Sequence, residues 1–355
     1  MIIVNSRFRK IKRFLERENF DGFTQKDLFI KNFMPNAWGQ DIAALSNMAE
    51  ALRNLGINAN DCTRKVADLN TLKDLLSNVV KYAVHPTVNP WKKPIEKVSD
   101  FNHYGYYLEH LNIILGCYQQ VVDDRHFELN ERITQYLAHE SLIQPNAHAR
   151  LIPHIKMRWS ADQAAIIYSL WLFDQNNGTH YHVDPKERWI NYMITQGKHP
   201  ETGLFVTEVM KTKRYSMQPR GCSHAYMCYY MEHFAPGAAS EQWALFNEHM
   251  SIERLGLFGY REYLPGYKGK WTPDSGPIVF GIGVAATGLA LKPMRVWGVE
   301  NQWHPGRLLR SARCLNGLFN FLSFTPFFGR FFLLGCDMLA TSILLAAETT
   351  DQKYI

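Results

Sequence analysis

Six segments of this chain open on a small or capping residue and then run apolar on nearly every side of a helix. In order they are NAWGQDIAALSNMAEAL, NHYGYYLEHLNIILG, WSADQAAIIYSLWLF, PRGCSHAYMCYYMEHF, PDSGPIVFGIGVAATGLAL and LLGCDMLATSILLAAE. Their small residues Gly39, Gly105, Ala161, Gly221, Gly276 and Gly335 recur every 55 to 66 residues, the length of a helical hairpin plus its loops. Between them lie one-sided helices such as VADLNTLKDLLSNVVKYAV and DPKERWINYMITQGK, apolar on one face and charged on the other. A helix that is apolar all round is stable only when buried, so alternating the two kinds implies an inner and an outer layer. The pattern predicts an all-α fold, an (α/α)6 toroid of six helical hairpins around a central cavity. Hydrophobic residues make up 46% of the chain, enough to fill such a core. The expected organisation is one (α/α)6-barrel domain over residues 1–355, with residues 1–33 as an N-terminal helical extension or outer helix.

The fifth of these segments also imitates a dinucleotide-binding turn, because Gly281, Gly283 and Gly288 follow a strand-like Ile278-Val279-Phe280. That fold needs strands alternating with helices on both sides of the glycines, and the surrounding sequence is helical. The expectation is therefore a helix that starts near Gly276, with Pro277 in its first turn and Asp274 or Ser275 as cap. Gly281, Ala285 and Gly288 would then form a small-residue stripe for close helix packing.

Charge and composition narrow the function classes. The net charge of +6 is spread along the chain, and its densest cluster, RFRKIKR, has no basic-aromatic module beside it. No nucleic-acid partner is expected. The N-terminus lacks an apolar stretch of signal-peptide length. The apolar C-terminal stretch is interrupted by Pro326, Arg330 and Asp337, so no transmembrane segment is expected. Cys62, Cys117, Cys222, Cys228, Cys314 and Cys336 form no CxxC pair, which fits reduced thiols and a cytoplasmic location.

In a toroid the inner helices begin at the mouth of the cavity, where unpaired N–H groups and partial positive charge favour acids and substrate oxygens. The reactive side chains of this sequence gather at those starts. Asp162, Cys222, His224 and Asp274 are the candidate catalytic residues. Trp159, Arg220, Tyr226, Glu262, Tyr263, His103, Tyr104 and Asp41 are the candidate substrate-binding ones. Arg220 beside a helix start should lower the Cys222 pKa and favour thiolate. Each has a plainer explanation: the aspartates as helix caps, Cys222 as a small buried hydrophobe and His224 as a core histidine. The HYH triplet at His180–His182 lacks partners at ligand spacing, so no metal site is expected.

The runs YSLWLFDQNNGTHY, QPRGCSHAYM and GLFGYREYLPG with DSGPIVFGIGVAATG resemble the linalool dehydratase/isomerase-like family of (α/α)6-barrel proteins, over about residues 150 to 345. That resemblance implies cofactor-independent addition and removal of water at a small terpene alcohol, by acid/base groups that include cysteines. It carries a reactive cysteine to Cys222 alone, since Cys228 would face another side of its helix. The main functional expectation is a cofactor-independent lyase or isomerase acting on a small, largely apolar, oxygen-bearing substrate. Asp162 or Asp274 with His224 would move protons, Cys222 would assist, and Arg220 would hold a substrate oxygen. The alternative is a carbohydrate-active hydrolase or lyase that uses paired carboxylates, Asp162 with Glu262 or Asp274, and aromatic rings as sugar platforms. Neither reading needs a cofactor, and assembly into homo-oligomers stays open.

Overall fold

The computed structural model describes residues 2–28, 31, 39–58, 66–209, 218–267, 269–270, 272, 274–297, 306–312, 314 and 337–350. Gly335, Cys62, Cys336 and most of the apolar C-terminal stretch lie outside them. The contacts divide the chain into two compact units that interleave in sequence. One takes residues 1–102, 110–133 and 315–351; the other takes 103–109, 134–314 and 352–355.

The first unit holds α1 (Ile2–Leu15), α2 (Gln40–Ile57), α3 (Leu69–Ala83) and α12 (Met338–Thr349), with parts of α4 (Gly105–Val121) and α5 (Phe127–Ile143). Nearly every side of α2 is buried, from Asp41 through Leu55. The one-sided α3 buries Leu72, Leu75, Leu76, Val79 and Val80, while Leu69 at its start stays exposed. Asp68 caps α3 by accepting from the Thr71 N–H, and Asp337 caps α12 by accepting from Ala340. α12 packs along α2, so the first and last all-round apolar helices are neighbours. The Met338 N–H donates to the Asp27 carbonyl, which ties the start of α12 to the segment that leads into α2.

The second unit holds α6 (Ser160–Asn177), α7 (Val183–Gln196), α8 (Gly221–Phe234) and α9 (Pro236–Met250), then α10 (Val284–Leu289) and α11 (Leu291–Trp297). Two antiparallel hairpins interrupt the helices, β1 (Ser251–Arg254) with β2 (Leu257–Tyr260) and β3 (Ile278–Val279) with β4 (Ile282–Gly283). The two kinds of helix read from the sequence are present. α6 and α8 are buried on nearly all sides and pack on each other. α7 buries only Pro185, Trp189 and Met193, and α9 buries one face through Trp243 and Phe246.

Each of these inner helices starts by hydrogen-bonding to an extended segment some forty residues further on. The Gly105 N–H donates to Arg150 O, the Ser160 N–H to Thr207 O, and the Gly221 N–H to Glu262 O. The small residues at two starts are required by this crossing of backbones. A Cβ on Gly105 would lie 2.3 Å from Arg150 O, and one on Gly221 would lie 2.0 Å from Arg261 O.

The fifth start differs from the sequence expectation. Asp274 and Ser275 form a turn, Ile278–Gly283 form the β3–β4 hairpin, and the helix begins only at Val284. Pro277 and Gly281 are therefore not helical, and no small-residue stripe exists. Gly281 has φ +83° at the hairpin turn, and a Cβ on Gly288 would meet nothing within 4 Å. The strands are antiparallel, so no dinucleotide-binding unit forms either. Among the described residues no helix is long and apolar enough to cross a membrane.

Candidate functional site

The acids of the second unit gather at the starts of α4, α6 and α8 and in the turn before β3. Asp162 stands in the first turn of α6, whose N-cap, Trp159, makes no side-chain cap bond. It is partly exposed and faces Glu109, a fully buried carboxyl one turn into the inner helix α4. Glu109 and Asp162 lie close enough for each to shift the other's pKa. Burial raises Glu109 well above the ordinary carboxylate range, and the neighbouring Asp162 charge raises it further. Both effects favour the protonated form of Glu109. Desolvation, then the charge of Asp274, push Asp162 up to about 7, against the lowering effect of its helix N–H and of Glu109. Asp274 itself is exposed. A half-sheltered carboxyl with its pKa near neutrality, beside a second carboxylate, suits general acid–base work. The phenol of Tyr226 feels the charge of the pair. Burial raises its pKa well above the usual value, with Glu109, Tyr106 and Asp162 contributing.

A second group adjoins it. Arg220, the N-cap residue of α8, donates from Nε to Glu262 Oε1 at 2.9 Å and from Nη2 to Thr272 Oγ1 at 2.6 Å. Its guanidinium lies 5.8 Å from the Tyr263 ring centroid, and its backbone bridges Tyr263. Glu262 is buried and also accepts from the Cys222 N–H and from Cys222 Sγ, both at 3.1 Å. Desolvation raises the Glu262 pKa, with Arg220 and Cys222 opposing. Asp274 acts electrostatically on Arg220, Cys222 and Asp162, which links this ion pair to the acid pair.

The expected Cys222 thiolate is corrected by this geometry. Burial, then the Glu262 carboxylate, push the thiol well above its ordinary value, and Arg220 only partly offsets them. Arg220 is already engaged by Glu262, so its charge does not fall to the sulfur. Cys222 is a protonated thiol that donates to Glu262.

His224 does not join the group. It is fully buried, its Nε2 lies 3.2 Å from Gln242 O on α9, and its ring stacks on Phe246 at 5.3 Å. Burial drops its pKa to about 4. His103 is held in a network of its own, between Arg150 Nη1 at 2.9 Å and Glu140 Oε2 at 3.4 Å, with Tyr104 starting α4 beside it. Asp41 belongs to the first unit, where Lys31 pairs with it at 3.1 Å. His182 Nδ1 pairs with Asp174 Oδ2 at 2.6 Å, and the His180 side chain is exposed. Among the described residues no group of His, Cys, Asp and Glu is arranged to hold a metal.

Two acids of the site escape a reading by motif. Glu109 carried a signal, since an acid on a helix apolar all round must be buried among partners. Glu208 carried none. It is buried in the extended segment before α8 and paired through its backbone with Trp159. Desolvation raises its carboxyl to about 7, with Arg220 lowering and Glu262 raising it.

No family model and no curated protein matches the sequence. Solved structures do match. A family 76 glycoside hydrolase (mannosidase) from Bacteroides thetaiotaomicron aligns at 11% identity over 98% of each chain, with TM-score 0.52. A polysaccharide lyase aligns at 10% identity over 97% of each chain, with TM-score 0.51. The Lin0763 protein from Listeria innocua aligns at 9% identity over 96% of each chain, with TM-score 0.55. The chain has the (α/α)6 toroid fold. Of the linalool dehydratase/isomerase-like resemblance, these matches support only that fold.

Proposed function

We propose that the acid cluster of the second unit is the active site of a carbohydrate-active enzyme, a glycoside hydrolase working through paired carboxyls. Asp162 would be the proton donor to the leaving oxygen, and Asp274 the carboxylate that attacks or activates water. The observation that carries the reading is the Glu109–Asp162 carboxyl pair at the starts of two inner helices, with Asp162 raised to about 7 by burial and by the charge of Asp274. Separating one neutral and one charged carboxyl at a single site is what glycosidic-bond cleavage requires. After proton donation, the Asp162 carboxylate is stabilised by the α6 N-terminus and by Glu109. Trp159 and Tyr263 are the rings available to sugar faces. The fold supports the reading at a coarse level, since it is shared with a mannosidase and a polysaccharide lyase.

The hydration or isomerisation reading loses two of its four catalytic groups, because His224 packs in the core and Cys222 is a protonated thiol. A glycan screen with reducing-end detection tests the proposal, with ultraviolet detection of unsaturated ends to register elimination. Activity should fall by about 10²–10⁴-fold in Asp162→Asn and in Asp274→Asn. Full turnover of a glycan by both variants would overturn the assignment. Activity confined to small alcohols would return the site to the hydration reading.

A further inference from the structure

Both hairpins of the second unit turn on a bulky hydrophobe in left-handed backbone conformation. The β1–β2 turn is Leu255 (φ +52°) and Gly256 (φ +73°), and the β3–β4 turn is Phe280 (φ +52°) and Gly281 (φ +83°). Two-residue turns with positive φ at both positions favour Asn-Gly or Asp-Gly, because a side chain such as leucine or phenylalanine clashes there. Burial could offset that misfit, yet Leu255 is 77% exposed and Phe280 58%. Ile278, at the base of the second hairpin, is 36% exposed. The chain thus keeps at both tips residues ill-suited to the backbone and to water.

The hairpins pack side by side. A Cβ on Gly281 would lie 3.3 Å from Ile252 Cδ1, and one on Gly259 would lie 2.6 Å from Ile282 Cγ2. Ile252 precedes Leu255 by three residues, so the tips are about 10 Å apart along the strand. Exposed cations flank the first of them. Arg254 adjoins Leu255, Glu253 is neutralised by Arg307 at 2.6 Å, and Arg310 is exposed on the helical segment 306–312, which bonds to β2 through Ser311.

We infer that this double-hairpin edge docks on an anionic lipid bilayer. Leu255 and Phe280 enter the boundary between headgroups and acyl chains, and Arg254 and Arg310 meet lipid phosphates. Three apolar side chains fall far short of the roughly 800 Å² per partner that a stable protein interface buries. A bilayer needs no matching surface, only apolar tips and nearby cations.

The test is cosedimentation of the full chain with vesicles of phosphatidylcholine, alone or mixed equally with phosphatidylserine, at low and high salt. Binding should require phosphatidylserine and weaken with salt. It should fall at least about tenfold in the double variant Leu255→Asn, Phe280→Asn, a loss each ~1.4 kcal/mol of lost insertion would produce. Because Asn-Gly suits these turns, that variant should stay folded, with circular dichroism and melting at least matching the wild type. Turnover of soluble substrate should not change, since neither residue belongs to the acid cluster. No binding to phosphatidylserine vesicles at low salt, or equal binding by the double variant, would overturn the inference. Wild-type self-association lost in that variant would make the edge a chain–chain interface and also overturn it.

Discussion

Asp162→Asn should cut activity by about 10²–10⁴-fold and, at alkaline pH, make the protein more stable. The carboxyl moves from an ordinary value of 3.8 to about 7 on folding. A group whose folded-state pKa is raised favours the folded state while protonated. That contribution is complete below about pH 4 and is lost as pH rises through about 7. Roughly three pKa units at 1.36 kcal/mol each set an upper bound of about 4 kcal/mol. Asp162 keeps some contact with solvent, which discounts the figure to about 2 kcal/mol. Asparagine has nearly the same shape and does not ionise. Urea unfolding of the two proteins at about pH 4 and about pH 8 isolates this contribution, because other titrating groups are common to both. The variant should equal the wild type at the lower pH and exceed it by about 2 kcal/mol at the higher. If Asp162 served only the α6 N-terminus, the variant would instead be less stable at about pH 8 by roughly 0.5–2 kcal/mol. That outcome would refute the account of the acid pair.

Other outcomes follow from the same geometry. Iodoacetamide should label the exposed Cys314 well before Cys222, whose buried thiol is held protonated by Glu262; fast labelling of Cys222 in the folded protein would contradict this. Glu208→Gln should raise stability above about pH 7 by roughly 2 kcal/mol, since Glu208 rises from 4.5 to about 7 on folding; a urea midpoint lower than wild type at about pH 8 would argue against it. Gly221→Ala should cost about 2–4 kcal/mol in thermal unfolding, because its Cβ would lie 2.0 Å from a backbone carbonyl that cannot swing away. Gly288→Ala, with nothing within 4 Å, should instead stabilise by about 0.5–1 kcal/mol. His224→Leu should lower the melting temperature through the lost Gln242 bond yet leave turnover of the folded enzyme unchanged.

What the sequence could disclose depended on how local each determinant was. Hydrophobic period is a property of a dozen consecutive residues, so the two kinds of helix and most of their starts were legible. The fifth start was not, because its pattern of small and apolar residues suits a buried helix as well as a hairpin. The deciding feature was a Phe280-Gly281 turn, where a phenylalanine in left-handed conformation defies the usual signal. Asp162, Asp274, Arg220 and Glu262 stood out in the sequence as acids and bases at or near helix starts, yet their pairing was hidden. The starts of α4, α6 and α8 bind backbone some forty residues downstream, and those partners shape the chemistry there. Glu262 reaches Cys222 only because Gly221 lets the two backbones touch, and burial together with this contact outweighs Arg220 and raises the thiol's pKa. The glycine that marks the helix start is therefore also the reason a local reading of its neighbours fails.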